Sequence, residues 1–265
     1  MNRKMPVLFI GHGSPMNVIQ DNGFTRSLAQ WGKTLPRPRA ILVVSAHWLT
    51  NGTRVLCADR PGTIHDFYGF PKELYAMTYP SAGSPGEAAF VTMAVKKTIV
   101  ACDKEWGLDH ASWAVLKHLF PRADVPVFEL SLDYSFNDWR PKPVQYHYDL
   151  AQQLSGLRDR GVLVIGSGNI VHNLGMIDFE NRDAVPFPWA REFDEDVKAR
   201  LVSGDHRDLI LHRNLGRPSS LAVPTLDHYL PMIYAIALQE RKEPLAFTYE
   251  GFQYGSVSMR CFQIG

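Results

Sequence analysis

The feature that most constrains this chain is a repeated alternation of short apolar runs with longer helix-forming stretches. The run over 40–45 is apolar almost without interruption, as a strand buried on both faces requires, and 7–10 and 162–167 are of the same β-rich kind. Further strands are expected over 53–58, 125–132, 245–248 and 257–264. Helices are expected over 24–34, 84–98, 112–120, 143–160, 189–202 and 225–240. Several of these carry stop or start signals: Pro36 and Pro38 after the first, Ser84 and Pro85 opening the second, Pro121 and Gly161 closing the third and fourth. This alternation predicts an α/β domain with a mostly parallel central sheet flanked by helices. A length of 265 residues, with no repeat, low-complexity tract or dividing linker, fits one domain over 1–265.

Composition narrows the partners. The chain is 45% hydrophobic and 21% charged, ordinary values for a protein with a substantial core. Its 28 basic and 27 acidic residues leave a net charge of +1, with no block of one sign. A nucleic-acid-binding or anionic-membrane surface would show a basic stripe, so a small-molecule partner is expected instead. Cys57, Cys102 and Cys261 lie far apart and form no C-x-x-C pair. That spacing reads as a reduced cytoplasmic protein, without a disulfide framework or thiolate zinc site. The apolar run after Arg3 and Lys4 is short and passes into Gly11, so it reads as a first strand rather than a leader. No stretch approaches the roughly 20 apolar residues of a membrane span. Nothing in the sequence bears on oligomeric state.

The histidines carry the chemistry. His12, His47 and His172 each follow a strand-like run, and His228 stands near the expected start of a helix. In an open α/β sheet the carboxyl ends of parallel strands share one edge, where ligands bind. Imidazole is the commonest protein metal ligand, so these side chains point to a metal centre at the carboxyl ends of the strands. His110 is a further candidate, although Asp109 and Ser112 beside it equally suit a capped helix entrance. His65, in a loop rich in aromatics, lines a pocket or bonds a nearby carbonyl. His118, His147, His206 and His212 have charged neighbours on helices and are expected to be solvated. Ser14, Asn17 and Asn173 either orient imidazoles or simply form turns. Gly166-Ser167-Gly168-Asn169 lacks the full dinucleotide pattern and is expected to be a constrained turn presenting His172.

Six motifs in order resemble one family: Gly11-His12-Gly13-Ser14-Pro15-Met16-Asn17, Ser45-Ala46-His47-Trp48, Thr63-Ile64-His65-Asp66-Phe67, Asp109-His110-x-Ser112-Trp113, Ser167-Gly168-Asn169-Ile170-Val171-His172-Asn173-Leu174, and Asp227-His228-Tyr229-Leu230-Pro231. They are similar to the class III extradiol ring-cleavage dioxygenases, in the 4,5-DOPA dioxygenase branch. The likeness extends to Gly255-Ser256-Val257-Ser258-Met259 near the end of the chain.

The resemblance implies a mononuclear metal site with His12, His47 and His228 as ligands. His172 is implied as a fourth ligand or an acid/base, and His110 as a second candidate for proton transfer. Ser14, Trp48, His65, Phe67, Trp113 and Tyr229 are the implied substrate contacts, although each aromatic equally suits the core. The implied reaction opens a catechol such as L-DOPA between carbons 4 and 5 with O₂, using one divalent metal per chain. Fe²⁺ is expected for turnover and Zn²⁺ in purified protein, because zinc outranks iron in affinity but has no redox chemistry. The departure from better-known members is the third ligand. A two-His-one-carboxylate triad would draw on Asp227, whereas this pattern favours His228. Two rivals stand beside this reading: a zinc-dependent hydrolase on the same scaffold, and a metal-binding module without catalysis.

Overall fold

The computed structural model describes residues 4–135, 140–216 and 218–265. The chain begins with β1 (Val7–Gly11), α1 (Gly23–Thr34), β2 (Ala40–Thr50), β3 (Arg54–Leu56), α2 (Lys72–Tyr75), α3 (Pro85–Ala94), β4 (Ala101–Asp103) and α4 (His110–Leu119). It continues through β5 (Val127–Ser135), β6 (Arg140–Pro141), α5 (Val144–Gln152), α6 (Gly156–Asp159), β7 (Val162–Gly168), α7 (Pro188–Ser203), α8 (His206–Ile210), α9 (Ser219–Ala222) and α10 (Leu230–Ala237). It closes with β8 (Leu245–Tyr249), β9 (Phe252–Gln253), β10 (Val257–Ser258) and β11 (Cys261–Ile264).

The main sheet runs β4-β3-β5-β2-β7-β1-β11-β8, with β6 paired to β5. Its centre, β5-β2-β7-β1, is parallel, whereas β11 and β8 join antiparallel at one side and β3 meets β5 antiparallel at the other. The expected α/β domain with a mostly parallel sheet is therefore present, edged by antiparallel strands. All of β1 and β7, and the first seven residues of β2, are buried, which explains their uninterrupted apolar character. Helices α4 and α10 pack on β2 and β7, α1 packs on α4, and α5 packs on α10. Strand β7 lies between β1 and β2, although it follows both in sequence. Where strand order breaks in this way, a crevice opens at the carboxyl ends, and β1 and β2 both deliver a histidine there.

Four sequence expectations need correction. The helix over 143–160 is broken into α5 and α6. The helix over 225–240 begins only at Leu230, because Pro231 cannot occupy a helix interior and sits in the first turn. The closing strand over 257–264 is split between β10 and β11. Cys57 and Cys102, expected to be reduced and unpaired, are joined as a disulfide between β4 and the residue after β3, with Cα atoms 5.7 Å apart. Among the described residues no helix is long and apolar enough to cross a membrane.

Candidate metal centre

Local backbone geometry explains how each imidazole reaches the crevice. His12 directly follows β1, and Gly13 takes a left-handed φ of 62° that turns the chain away from the sheet. His47 lies where the pairing of β2 with β5 shifts register between Val44 and Leu49, an irregularity that re-aims side chains. Its backbone N–H donates to Ser45 Oγ at 3.1 Å. His228 occupies the turn before α10. That turn packs directly on β7, with Asn169 N–H donating to the His228 carbonyl at 2.9 Å. His110 opens α4 beside its cap, Asp109, which accepts from Ser112 N–H at 3.3 Å. His110 is thus both at a capped helix entrance and at the site. His172 is pinned through its backbone N–H to the Ala222 carbonyl at 2.9 Å.

The ring nitrogens of His12, His47 and His228 lie within 4.8 Å of one another. Nε2 of His12 and Nε2 of His47 are 3.4 Å apart. Two imidazole nitrogens held about 2.0–2.1 Å from one tetrahedral ion would stand about 3.4 Å apart, so the pair is spaced for a shared metal. Each ring is also held from behind. Ser167 Oγ donates to the Ala111 carbonyl at 2.6 Å and so accepts from His12 Nδ1–H at 3.2 Å. Asp66 Oδ2 accepts from His47 Nδ1–H at 3.0 Å, and Asp227 Oδ2 accepts from His228 Nδ1–H. All three Nε2 lone pairs are thereby left facing the centre, the arrangement metal-ligating histidines adopt. His228 Nε2 is buried with no hydrogen-bond partner among the described residues. An orphaned buried acceptor at the meeting point of two others is what a metal ligand looks like without its ion. The donor set fits a divalent ion that accepts imidazole nitrogen.

Electrostatics agree with this arrangement. Burial, then the neighbouring imidazoles His47, His228, His110 and His172, push His12 well below the usual histidine range. Burial and His228 do the same to His172. Burial also lowers His228, although Asp227 opposes it. These rings are neutral at neutral pH, with lone pairs free for a metal or a proton. Burial favours the neutral acid at Asp66, but hydrogen bonds from His110 and His47 outweigh it and hold the carboxyl far below its ordinary value. The same competition, won by His228, keeps Asp227 ionised. Beneath them, burial and the Asp66 charge push Asp109 up to about 6, and burial with Asp109 raises Glu129 well above the carboxylate range.

His110 lies beside the triad, with ring centroids 4.1 Å from His47 and 5.6 Å from His12, and its Nδ1 is 2.9 Å from Asp66 Oδ2. His172 stacks on His228. Phe67 approaches His110 at 5.7 Å and His65 at 5.8 Å. His65 Nε2 is 2.9 Å from the Met77 carbonyl, and Ser14 Oγ accepts from Met16 N–H next to His12. Trp113 is fully buried behind Phe67 and His65, donating to the Ile64 carbonyl at 2.8 Å.

Two expected contacts are not brought to the cluster. Trp48 is buried and stacks on Trp106 at 5.5 Å, since adjacent strand residues point to opposite faces. Tyr229 is buried, with its hydroxyl on the Leu209 carbonyl and its ring against His212 and Phe193. His147 and His212, expected in solvent, are buried too. The Asn17 side chain donates to the His12 carbonyl and that of Asn173 to the Leu221 carbonyl, so neither side chain orients a ring of the cluster. The orienting atoms belong instead to Ser167, Asp66 and Asp227. Of these, the Asp227-His228 adjacency was the readable signal. Gly166 and Gly168 lie on β7 rather than in a turn. A Cβ on Gly168 would stand 2.2 Å from the His228 carbonyl oxygen, and one on Gly166 2.2 Å from that of Pro231. These glycines let the His228 turn close onto the strand.

Residues 6–243 match the family described as the catalytic LigB subunit of aromatic ring-opening dioxygenase. The chain is 45% identical over 265 residues to the 4,5-DOPA dioxygenase extradiol of Escherichia coli (strain K12), covering 99% of this chain and 95% of that protein. A Beta vulgaris protein of the same name is 35% identical over 234 residues, covering 86% of this chain and 84% of its own. The crystal structure of the uncharacterized protein JW3007 from Escherichia coli K12 superposes with a TM-score of 0.85 at 40% identity, covering 99% of this chain and 100% of that one. The family resemblance drawn from six motifs is thus met along nearly the whole sequence, and the chain belongs to the aromatic ring-opening dioxygenase family of the catalytic LigB subunit.

Proposed function

We propose that this chain opens a catechol ring on its extradiol side with O₂, between carbons 4 and 5 of L-DOPA, at one divalent metal held by His12, His47 and His228. The observation that carries this reading is the convergence of three Nε2 atoms, each on a ring whose Nδ1 is satisfied from behind. The bound ion supplies Lewis acidity toward a catechol hydroxyl and, as Fe²⁺, the redox activity that O₂ chemistry needs; Zn²⁺ supplies only the former.

The protein's own groups do the rest. His110, anchored through Nδ1–H on Asp66, has Nε2 available to accept a catechol proton and later return it. His172 is partly exposed above His228 and is the second group placed for proton transfer. A positioned base of this kind contributes about 10²–10⁴-fold. Phe67 offers a ring face beside His110, with His65 and Ser14 flanking and Trp113 supporting from behind.

The test is anaerobic reconstitution of metal-free protein with Fe²⁺ and, in parallel, Zn²⁺, followed by L-DOPA and air. Iron-dependent oxygen uptake with a yellow ring-opened product supports extradiol cleavage. One bound metal per chain but no uptake across a panel of catechols would turn the reading to a zinc hydrolase.

A further inference from the structure

Asp66 lies on the loop between β3 and α2, and one of its oxygens faces two imidazoles. Oδ2 is 3.0 Å from Nδ1 of His47 and 2.9 Å from Nδ1 of His110. The other oxygen, Oδ1, accepts the backbone N–H of His110 at 2.9 Å, which fixes the rotation of the carboxylate. The side chain is 17% exposed, tucked inward from an open backbone. We propose that Asp66 is a positioning residue that sets the tautomer of both rings at once, so that a metal ligand and a proton acceptor depend on one carboxylate. This rests on the reading of His47 as ligand and His110 as acid/base.

The argument is one of donor and acceptor counting. A neutral imidazole carries a single N–H, and an ionised carboxylate only accepts. With both Nδ1 atoms on Oδ2, the neutral state that satisfies all three groups puts hydrogen on both Nδ1 atoms. Both Nε2 atoms are then bare. On His47 that lone pair faces Nε2 of His12, where a metal would sit. On His110 it makes the ring an acceptor of a substrate proton rather than a donor. A hydrogen left on either Nε2 would block the first role or reverse the second. Phe67 follows Asp66 directly and packs on His110, so the same loop sets the ring's chemistry and its aromatic neighbour.

Asp66→Asn tests this because an amide has one acceptor and one donor group. The His110 backbone N–H cannot change its role, so the amide oxygen stays with it. The NH₂ group then faces the two Nδ1 atoms and forces hydrogen onto both Nε2 atoms. The measurement is the two-bond ¹⁵N–¹H correlation spectrum of histidine-labelled, metal-free protein at neutral pH, with His47 and His110 assigned by single substitution. The expected result is hydrogen on Nδ1 of both rings in the wild type and on Nε2 of both in Asp66→Asn. Zinc affinity by chelator competition should fall about 10–100-fold in Asp66→Asn, the usual cost of losing such a partner. Asp66→Glu should restore the Nδ1–H tautomers at least in part. Hydrogen on Nε2 of either ring in the wild type overturns the proposal, and that reading needs no variant to fold. Unchanged tautomers and zinc affinity in Asp66→Asn overturn it as well. Neither readout involves O₂. Failure of the dioxygenase assay with the stated spectra would remove the proposed reaction alone, whereas failure of the spectra removes this inference whatever the oxygen uptake.

Discussion

The imidazoles of His172 and His228 lie face to face, with centroids 3.5 Å apart and planes within 5° of parallel. A nitrogen lone pair points along its ring plane. The lone pairs of two parallel stacked rings run side by side and do not meet at one point, so of the two it is His228, whose Nδ1 is taken by Asp227, that would hold the ion. This supports His228 as ligand and His172 as a proton-transfer group.

His172→Ala is accordingly expected to keep one equivalent of zinc per chain while turnover drops by about 10²–10⁴-fold. His12→Ala, His47→Ala and His228→Ala should each abolish stoichiometric binding. Metal content after dialysis, set beside oxygen uptake, separates the two behaviours. Loss of zinc in His172→Ala would make it a fourth ligand.

Gly168→Ala should damage the site without touching any imidazole. The new Cβ would meet the His228 carbonyl oxygen at 2.2 Å, and backbone on both sides must shift. We expect a stability loss of about 1–3 kcal/mol and at least a tenfold drop in zinc affinity, with the circular dichroism spectrum retained. Gly86→Ala, where an added Cβ meets nothing within 4 Å, is the control. Equal zinc affinity in the two variants would show that the close approach of β7 does not place His228.

Much of this geometry was legible in the sequence because it follows from local rules. Continuous apolar runs marked β1, β2 and β7, and the histidines after them mark the shared strand edge. Asp66 and Ser167 were not legible as orienting groups. Ser167 lies 155 positions from His12, and Asp66 lies 44 from His110, and hydrogen bonds across such separations leave no periodicity. Trp48 and Tyr229 adjoin site histidines in sequence and point elsewhere, since neighbouring residues on a strand or turn face different directions. Pro231 did announce the late start of α10, and helical periodicity over 225–240 masked it.

Asp227 is expected to act through His228 rather than on the metal itself. Its Oδ2 receives His228 Nδ1–H, so Asp227→Asn retains an acceptor of weaker basicity. Zinc affinity measured by chelator competition should fall about 10–100-fold without abolishing one-to-one binding. Complete loss of binding would return the carboxylate to the ligand set.

His147 gives a pH test independent of the metal. It is fully buried against Tyr234, with Nδ1 3.0 Å from the phenol oxygen, and burial lowers it to about 3 from 6.5. The folded protein then binds this proton far less readily than the unfolded chain. Its contribution to stability is therefore complete above about 6.5 and lost as pH falls from there toward 3. The slope is about 1.4 kcal/mol per pH unit for one proton. His147→Gln keeps an acceptor for Tyr234 and removes the titration. Urea unfolding at pH 7, 6 and 5, with chelator present throughout, should show the wild type losing about 2 kcal/mol more than the variant over that range. Matching slopes would mean that His147 is protonated as easily in the fold as out of it, and that its burial is relieved by a partner for Nε2.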